Sequence, residues 1–575
     1  MNVSMVSRQG MRRGWVVLAV LALGLGTLAL CVRGARWERV HPDEQVIVRW
    51  LVGTRHTAYV GERVYPGGYF EIMRVARRAE EAAGRIHRLA ERWLAPGRVR
   101  TASPPEVDHL LRARLWNAGF MAAAAMMVFG LAGRLLDNRL AAWLAAAWFG
   151  MHPLVIEHGH YAETDAVMLA MQVLTLWLLA AALREQRRRL ALAAALTAGV
   201  AFGCKYTLLP LLLLPPVAVW ILAGRRGLSR RARAGGVLAA LLLLAAGFIW
   251  ATPLIYGDFD FFMSNTRHIA QRTYGEMAGL LGEMARVPGA ARLWKSRALL
   301  DAAALSGWAA GILVLLAFPR WLNRRWRGAW GVLPFFGLLF VVYVMAGLPW
   351  FRNQEFLPLL PVLAVTLVLP LADLMRGGAA GLRRLAAAAQ VILLAAAIVH
   401  NAAGGLRMAS AFGQHDTRAL LRGWLAQCGP ADARIGYEPY AEPVAEHWNT
   451  RPVCTPKVER MPPAAFEDLG LAYEVCAPGM TGRGLRHPWT RVRYATGAAH
   501  YAAFTNRATL LRRASITPGI RPMFAQIDVE LWGLPSRAEA APVADISLVM
   551  NRPALLSPGE ERLVAPAWDA GAGPG

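Results

Sequence analysis

Eleven apolar runs divide the first 402 residues, near 14–32, 113–131, 139–153, 166–183, 190–203, 206–223, 235–254, 301–318, 329–348, 355–374 and 385–402. A helix needs about 20 mostly apolar residues to cross a bilayer, and most of these runs approach that length. Inside hydrocarbon every backbone N–H and C=O must be satisfied within the chain, so each run is expected as a helix. The runs near 139–153 and 190–203 are short and read as tilted, broken or paired segments. Composition agrees. The chain is 56% hydrophobic and 18% charged, where soluble domains carry about 45–50% and about 25%. The expected fold class is an all-α polytopic membrane protein of about eleven transmembrane helices. Residues 1–402 form its membrane domain, with a first outer loop over about 33–112. Residues 403–575 have mixed polarity, short β-like runs and Pro-Gly turns at 478–479, 518–519 and 558–559, which predict a C-terminal extracytoplasmic α/β domain.

The charge is as uneven as the hydropathy. Lys and Arg number 63 against 38 Asp and Glu, a net +25. In a soluble chain this excess suggests nucleic acid. Here the cations fall in alternate connections: Arg184 to Arg189, Arg225 to Arg233, Arg320 to Arg327, and Arg376 with Arg383 and Arg384. The first apolar run follows Arg8, Arg12 and Arg13 and reads as a retained signal anchor with its N-terminus inside. All the arginine-rich connections then lie on the cytoplasmic side, as the positive-inside rule requires. The excess is topological and carries no nucleic-acid partner.

The other set of connections faces outward and holds the rare acids. The first loop opens with His41-Pro42-Asp43-Glu44, a paired carboxylate at the interface. A second acidic stretch runs from Glu157 through His158, His160 and Glu163 to Asp165, at the start of the next span. A carboxylate there is either functional or a helix cap. Lys205 and Arg352 are placed at the outer ends of spans. Residues 72–93 carry Ile72, Val75, Ala79, Ala82, Ile86, Leu89 and Trp93 at helical spacing amid Arg and Glu, which predicts an amphipathic helix on the membrane surface.

Taken in order, these motifs resemble the polyprenyl-phosphate-sugar-dependent glycosyltransferases of the membrane-embedded C type (GT-C), in the family-39-like group. Its relatives include protein O-mannosyltransferases, the aminoarabinose transferase acting on lipid A, and the mannosyltransferases of GPI-anchor synthesis. The resemblance rests on His41–Glu44, Tyr65-Pro66-Gly67-Gly68-Tyr69-Phe70, Glu163-Thr164-Asp165, Gly203-Cys204-Lys205-Tyr206-Thr207 and Arg352 through Pro361. Asp416-Thr417-Arg418 with Trp424 then opens the tail. The stretch from Phe351 to Phe356 departs from the Arg-Tyr pattern common in bacterial members.

The resemblance implies an integral enzyme of the bacterial inner membrane, with its active site and C-terminal domain outside. It would move a sugar from a polyprenyl-phosphate carrier to an acceptor hydroxyl on a lipid, glycan or protein, inverting the anomeric centre. Phosphate is a stable leaving anion, so the reaction needs a base for the acceptor and cations for the phosphate. Asp43 is the implied base, with Glu44 and Asp165 orienting the acceptor. Lys205 and Arg352 meet the donor phosphate, and His41, Glu163, Tyr65 and Tyr206 support the site. A divalent cation, Mg2+ or Mn2+, would bind at Asp43 and Asp165. In the tail, Cys454–Cys476 is the favoured disulfide and Cys428 the competitor. Two readings from other classes compete with the enzyme, a secondary transporter and a non-catalytic partner in envelope assembly. A transporter would place its ionisable groups at mid-membrane between repeats, whereas the acids here sit at span ends.

Overall fold

The computed structural model describes residues 3–33, 44, 67–94, 109–257, 259–270, 306–323, 331–347, 353–376, 381–412, 418, 421, 434–438, 451–454, 463–469, 471–476, 495–514 and 529–534. Each of the eleven apolar runs carries a helix. In chain order these are α1 (Val3–Val32), α3 (His109–Leu136), α4 (Arg139–Gly150), α6 (Thr164–Glu185), α7 (Arg188–Cys204), α8 (Leu214–Arg225) after a 3-10 turn at Tyr206–Leu213, and α9 (Arg230–Ala251). They continue with α11 (Trp308–Asn323), α12 (Val332–Gly347), α13 (Leu360–Arg376) after a 3-10 turn at Asn353–Leu359, and α14 (Gly381–Phe412). Between them come α2 (Gly68–Leu94), α5 (Pro153–His160) and α10 (Phe259–Ala270). Among the described residues, six helices are long and apolar enough to cross a bilayer, and α4 with α5 makes a seventh, bent by 54°. The apolar helices Val16–Val32, Trp308–Pro319 and Val332–Val344 are shorter. The last span does not stop at residue 402 but continues to Phe412.

Local chemistry sets the breaks. Asn138 caps α4 by accepting from the Ala141 amide at 3.0 Å. After Gly150 the His152 ring accepts from the Leu154 amide, and Pro153 opens α5 in the first turn, where a backbone N–H would have no helical partner. Gln186 adopts a left-handed conformation (φ 55°) and ends α6. Ser229 caps α9 through the Ala232 amide.

Glycines bring the helices together where apolar bulk would hold them apart. A Cβ on Gly199 of α7 would strike the Leu244 carbonyl of α9, and one on Gly247 of α9 would strike the Leu196 carbonyl. Small residues at matched positions bring two backbones close, the usual basis of helix association in lipid. Gly68 works the same way across elements. A Cβ there would sit 2.6 Å from the Gly203 carbonyl carbon, so only glycine lets α2 start against the end of α7.

The windows within 164–185 and 354–375 are 78% and 83% buried, against 22% for 230–251 and 385–412. The first two are the centre of the bundle and the last two its rim. The two ends of the bundle differ in charge. One end gathers Arg134, Arg184, Arg187 and their partners Glu185 and Asp137. The other gathers Arg33, Glu44, Arg114, Asp165, Lys205, Glu355 and Phe412.

The tail holds a five-stranded sheet in the order β2-β1-β3-β5-β4. Its strands are β1 (Arg434–Tyr437), β2 (Arg451–Cys454), β3 (Tyr473–Cys476), β4 (Thr509–Ala514) and β5 (Val529–Gly533). β1 is parallel to β2 and β3, and β5 runs antiparallel to β3 and β4. The helices α15 (Pro463–Asp468) and α16 (Ala495–Arg507) contribute Phe466 and Phe504, whose rings lie 5.2 Å apart in a small core with Leu471 and Leu534. The sequence predicts an α/β domain here, while the Pro-Gly turns at 478–479, 518–519 and 558–559 lie outside the described residues.

Candidate active site

The acid-bearing end of the bundle is assembled from segments far apart in the chain. The α5–α6 junction bends at 161–163, which turns Glu163 and Asp165 inward. Asn117, on α3, holds the bend by donating one amide N–H to the Tyr161 carbonyl (2.6 Å) and one to the Glu163 carbonyl (2.8 Å). Arg114, one turn earlier, holds Glu44 in a two-pronged ion pair at 2.8 and 2.7 Å. Glu44 Oε1 also accepts from the Ala162 amide at 2.7 Å. Glu44 is completely buried and Arg114 nearly so, so this carboxylate ties the first loop to the 161–163 bend.

Behind the bend lies a cluster of ionisable groups. His158 Nδ1 hydrogen-bonds Glu163 Oε1 and stands 3.9 Å from Asp165 Oδ2. The Lys205 ammonium donates to Asp165 Oδ1 at 2.5 Å. Burial alone would lower the Lys205 pKa, yet the carboxylates of Asp165, Glu355 and Glu163 outweigh it and hold the ammonium above its usual value. Tyr69, at the start of α2, is fully buried near Glu44 and Glu163. Burial and then those two carboxylates push its ionisation well up, so the phenol keeps its proton. His160 stacks on Phe412 with ring centroids 4.0 Å apart, and its Nε2 lies 2.7 Å from the Arg33 carbonyl. The end of α1, the α5–α6 bend and the end of α14 therefore meet here.

Of the residues singled out from sequence, Glu44, Glu163, Asp165 and Lys205 converge on this end. Tyr206 is half-buried and packs beside Phe202, 5.3 Å away, and Phe248, 6.3 Å away. Asp43, His41, Tyr65 and Arg352 lie outside the described residues. Cys454 and Cys476 end strands on either side of β1; Cys476 is buried, and the Cys454 side chain is outside the described residues. Arg114, Asn117 and Tyr69 had no role assigned from sequence. Arg114 had a readable signal, a charge near the start of an apolar helix, where ionisable groups are costly unless partnered. Asn117 had a weaker version of the same signal. α2 forms over the span its apolar spacing predicts, with Ile72, Met73 and Ala76 buried and Val75 exposed.

With the site described, the comparisons bear on it. Residues 107–250, which contain Arg114, Asn117, His158, Glu163, Asp165 and Lys205, match the family model described as "Dolichyl-phosphate-mannose-protein mannosyltransferase". No curated protein matches the chain in sequence. Among solved structures, two of ArnT from Cupriavidus metallidurans are similar to it. The apo form is 13% identical and the form bound to undecaprenyl phosphate 14%, each with a TM-score of 0.41. Both alignments cover 92% of this chain, with 100% and 99% of the ArnT chains.

Proposed function

We propose that this protein is a glycosyltransferase that moves a sugar from a polyprenyl-phosphate carrier to an acceptor hydroxyl at the extracytoplasmic face of a bacterial inner membrane. The observation that carries the reading is the buried Asp165–Lys205 pair within the His158–Glu163–Asp165 cluster, at the bundle end opposite the arginine-rich connections. The arginines favour the cytoplasm, which leaves the acids outside.

In this reading the polyprenyl tail lies in lipid and its phosphate reaches Lys205. Lys205 and Arg352 supply positive charge as the bond from the anomeric carbon to the phosphate oxygen breaks. Asp43 takes the proton of the acceptor hydroxyl as the oxygen attacks the anomeric carbon from the opposite side. One displacement inverts that centre. Glu44, held by Arg114 and the Ala162 amide, anchors the chain next to Asp43 rather than turning over substrate.

The test is direct. Protein in lipid nanodiscs is incubated with polyprenyl-phosphate-linked sugars and envelope lipid acceptors, and release of polyprenyl phosphate is followed. Asp43→Asn and Lys205→Ala should each reduce release by about 100-fold or more, the scale of losing a general base or a phosphate cation. Unchanged release in both variants would overturn the assignment. Envelope lipids, glycans and glycoproteins from cells carrying Asp43→Asn then reveal which sugar is lost from which acceptor.

A further inference from the structure

The arginine-bearing end of the bundle holds more than loop charge. The stretches 184–189 and 225–233 carry nine arginines and one acid, Glu185. They meet in space, because Arg226 donates to the Gln186 carbonyl. Several of these arginines are answered within the protein. Arg184 pairs with Asp137, Arg187 pairs with Glu185, and Arg233 donates Nε–H to the Leu228 carbonyl at 2.9 Å.

Arg188 is different. A charge that only sets topology can stay in the loop, in water. Arg188 opens α7, yet its guanidinium lies between α8 and α9. A Cβ on Gly236 of α9 would stand 2.6 Å from Arg188 Nη2 and 3.0 Å from Cγ1 of Val219 on α8. Glycine at 236 therefore leaves the room that the guanidinium fills. The Arg188 Nε is buried and has no hydrogen-bond partner among the described residues, a costly state unless an acceptor answers it.

Two further features border this groove. Arg233 lies three positions before Gly236, on the same face of α9. Its guanidinium stands over the Trp220 ring, 5.8 Å from the centroid, and against Gly224. Deeper along α8, Val217, Trp220 and Ile221 are exposed, an apolar stripe that in a membrane meets acyl chains.

We infer that the α8–α9 groove at the arginine-bearing end binds the phosphate of an anionic phospholipid. Arg188 and Arg233 hold the phosphate oxygens, since a guanidinium offers paired donors in a planar fork. The acyl chains run along Val217, Trp220 and Ile221. Basic pockets between transmembrane helices are a recurrent way of holding anionic head groups. The apolar stripe beside the cations is what selects a lipid. A soluble polyanion would find the exposed loop arginines without reaching Arg188, and free phosphate would gain nothing from the stripe. α7 carries Arg188 at one end and Lys205 just past the other, so this site is separate from the acid-bearing end and independent of glycosyl transfer.

The test uses full-length protein in detergent. Native mass spectrometry reads the lipid retained from mixtures of phosphatidylglycerol and phosphatidylcholine. Wild type should retain one phosphatidylglycerol per chain in preference to phosphatidylcholine. Arg188→Gln and Arg233→Gln should each lower that retention about fivefold, the scale of one arginine near a lipid head group. Arg139→Gln removes an exposed charge from the same end, at the start of α4, and should leave retention unchanged. Gly236→Ala keeps every charge but crowds the Arg188 guanidinium, so it should weaken retention too. It carries the test with Arg233→Gln if Arg188→Gln fails to fold. Excess inorganic phosphate should not displace the lipid. Equal retention of the two lipids, equal losses in the Arg139 variant and the groove variants, or displacement by inorganic phosphate would overturn the site.

Discussion

The Lys205 ammonium lies 2.5 Å from the Asp165 carboxylate, forty positions away in sequence, and this contact joins the end of α7 to the start of α6. Asp165 is nearly fully buried and the Lys205 side chain is 15% exposed. Removing one partner of a buried pair leaves the other charge uncompensated, at about 3–5 kcal/mol. Lys205→Ala should therefore lower the melting temperature sharply in detergent or nanodiscs, beyond its effect on activity. Lys205→Met combined with Asp165→Leu should recover much of that loss, because neither charge remains. Equal melting of Lys205→Ala and wild type would show that the pair does not form.

Much of this architecture is readable from local pattern. Apolar length marked where the helices are, because a helix's place along the chain is a one-dimensional property. What pattern could not provide is partnership across the bundle. Asp165 and Lys205 were both marked from sequence, but with separate roles, since nothing local says that two helix ends meet. Glu44 was read as facing the acceptor, while the structure gives its oxygens to Arg114 and the Ala162 amide. Arg114 sits seventy residues from that partner. A charge in an apolar run announces that a partner exists without saying which.

The Arg114–Glu44 clamp makes a second prediction. Both side chains are buried and the geometry is two-pronged, so lysine, with a single ammonium, cannot replace the guanidinium. Arg114→Lys should lose most activity. In a double-mutant cycle with Arg114→Gln and Glu44→Gln, the coupling measured by melting should reach about 0.5–3 kcal/mol. Additive effects of the two single substitutions would show that the ion pair carries no coupling.

Asn117 is expected to act through the residues it positions. Its two amide N–H bonds hold the carbonyls of Tyr161 and Glu163, and the bend between them aims Glu163 at His158. Asn117→Asp keeps the shape but removes both donors and adds a charge near Glu163. Turnover should fall by about tenfold or more, since a lost hydrogen bond to a buried carbonyl is worth about 1–3 kcal/mol. Steady-state kinetics with donor and acceptor varied separately should place the loss in kcat more than in KM. A protein of normal kcat would show that the bend holds its shape without Asn117.

Gly68 tests how the first loop is docked on the bundle. Its neighbour Tyr69 is buried beside Glu44 and Glu163, and α2 can bring it there only by starting against the Gly203–Cys204 peptide. A methyl group at Gly68 would stand 2.6 and 2.7 Å from atoms of that peptide. The obstruction is backbone, which cannot rotate aside as a flexible side chain would. Gly68→Ala should destabilise the protein by about 1–3 kcal/mol, the usual range for overpacking, and should also displace Tyr69 and lower activity. Gly26, in α1, is the internal control, because a Cβ there meets nothing within 4 Å. Gly26→Ala should leave melting unchanged or raise it slightly, since alanine is the better helix former. Comparing the two variants by thermal melting and by polyprenyl phosphate release separates close packing from the general effect of replacing a glycine. If Gly68→Ala behaves like Gly26→Ala in both measurements, α2 does not dock on the end of α7.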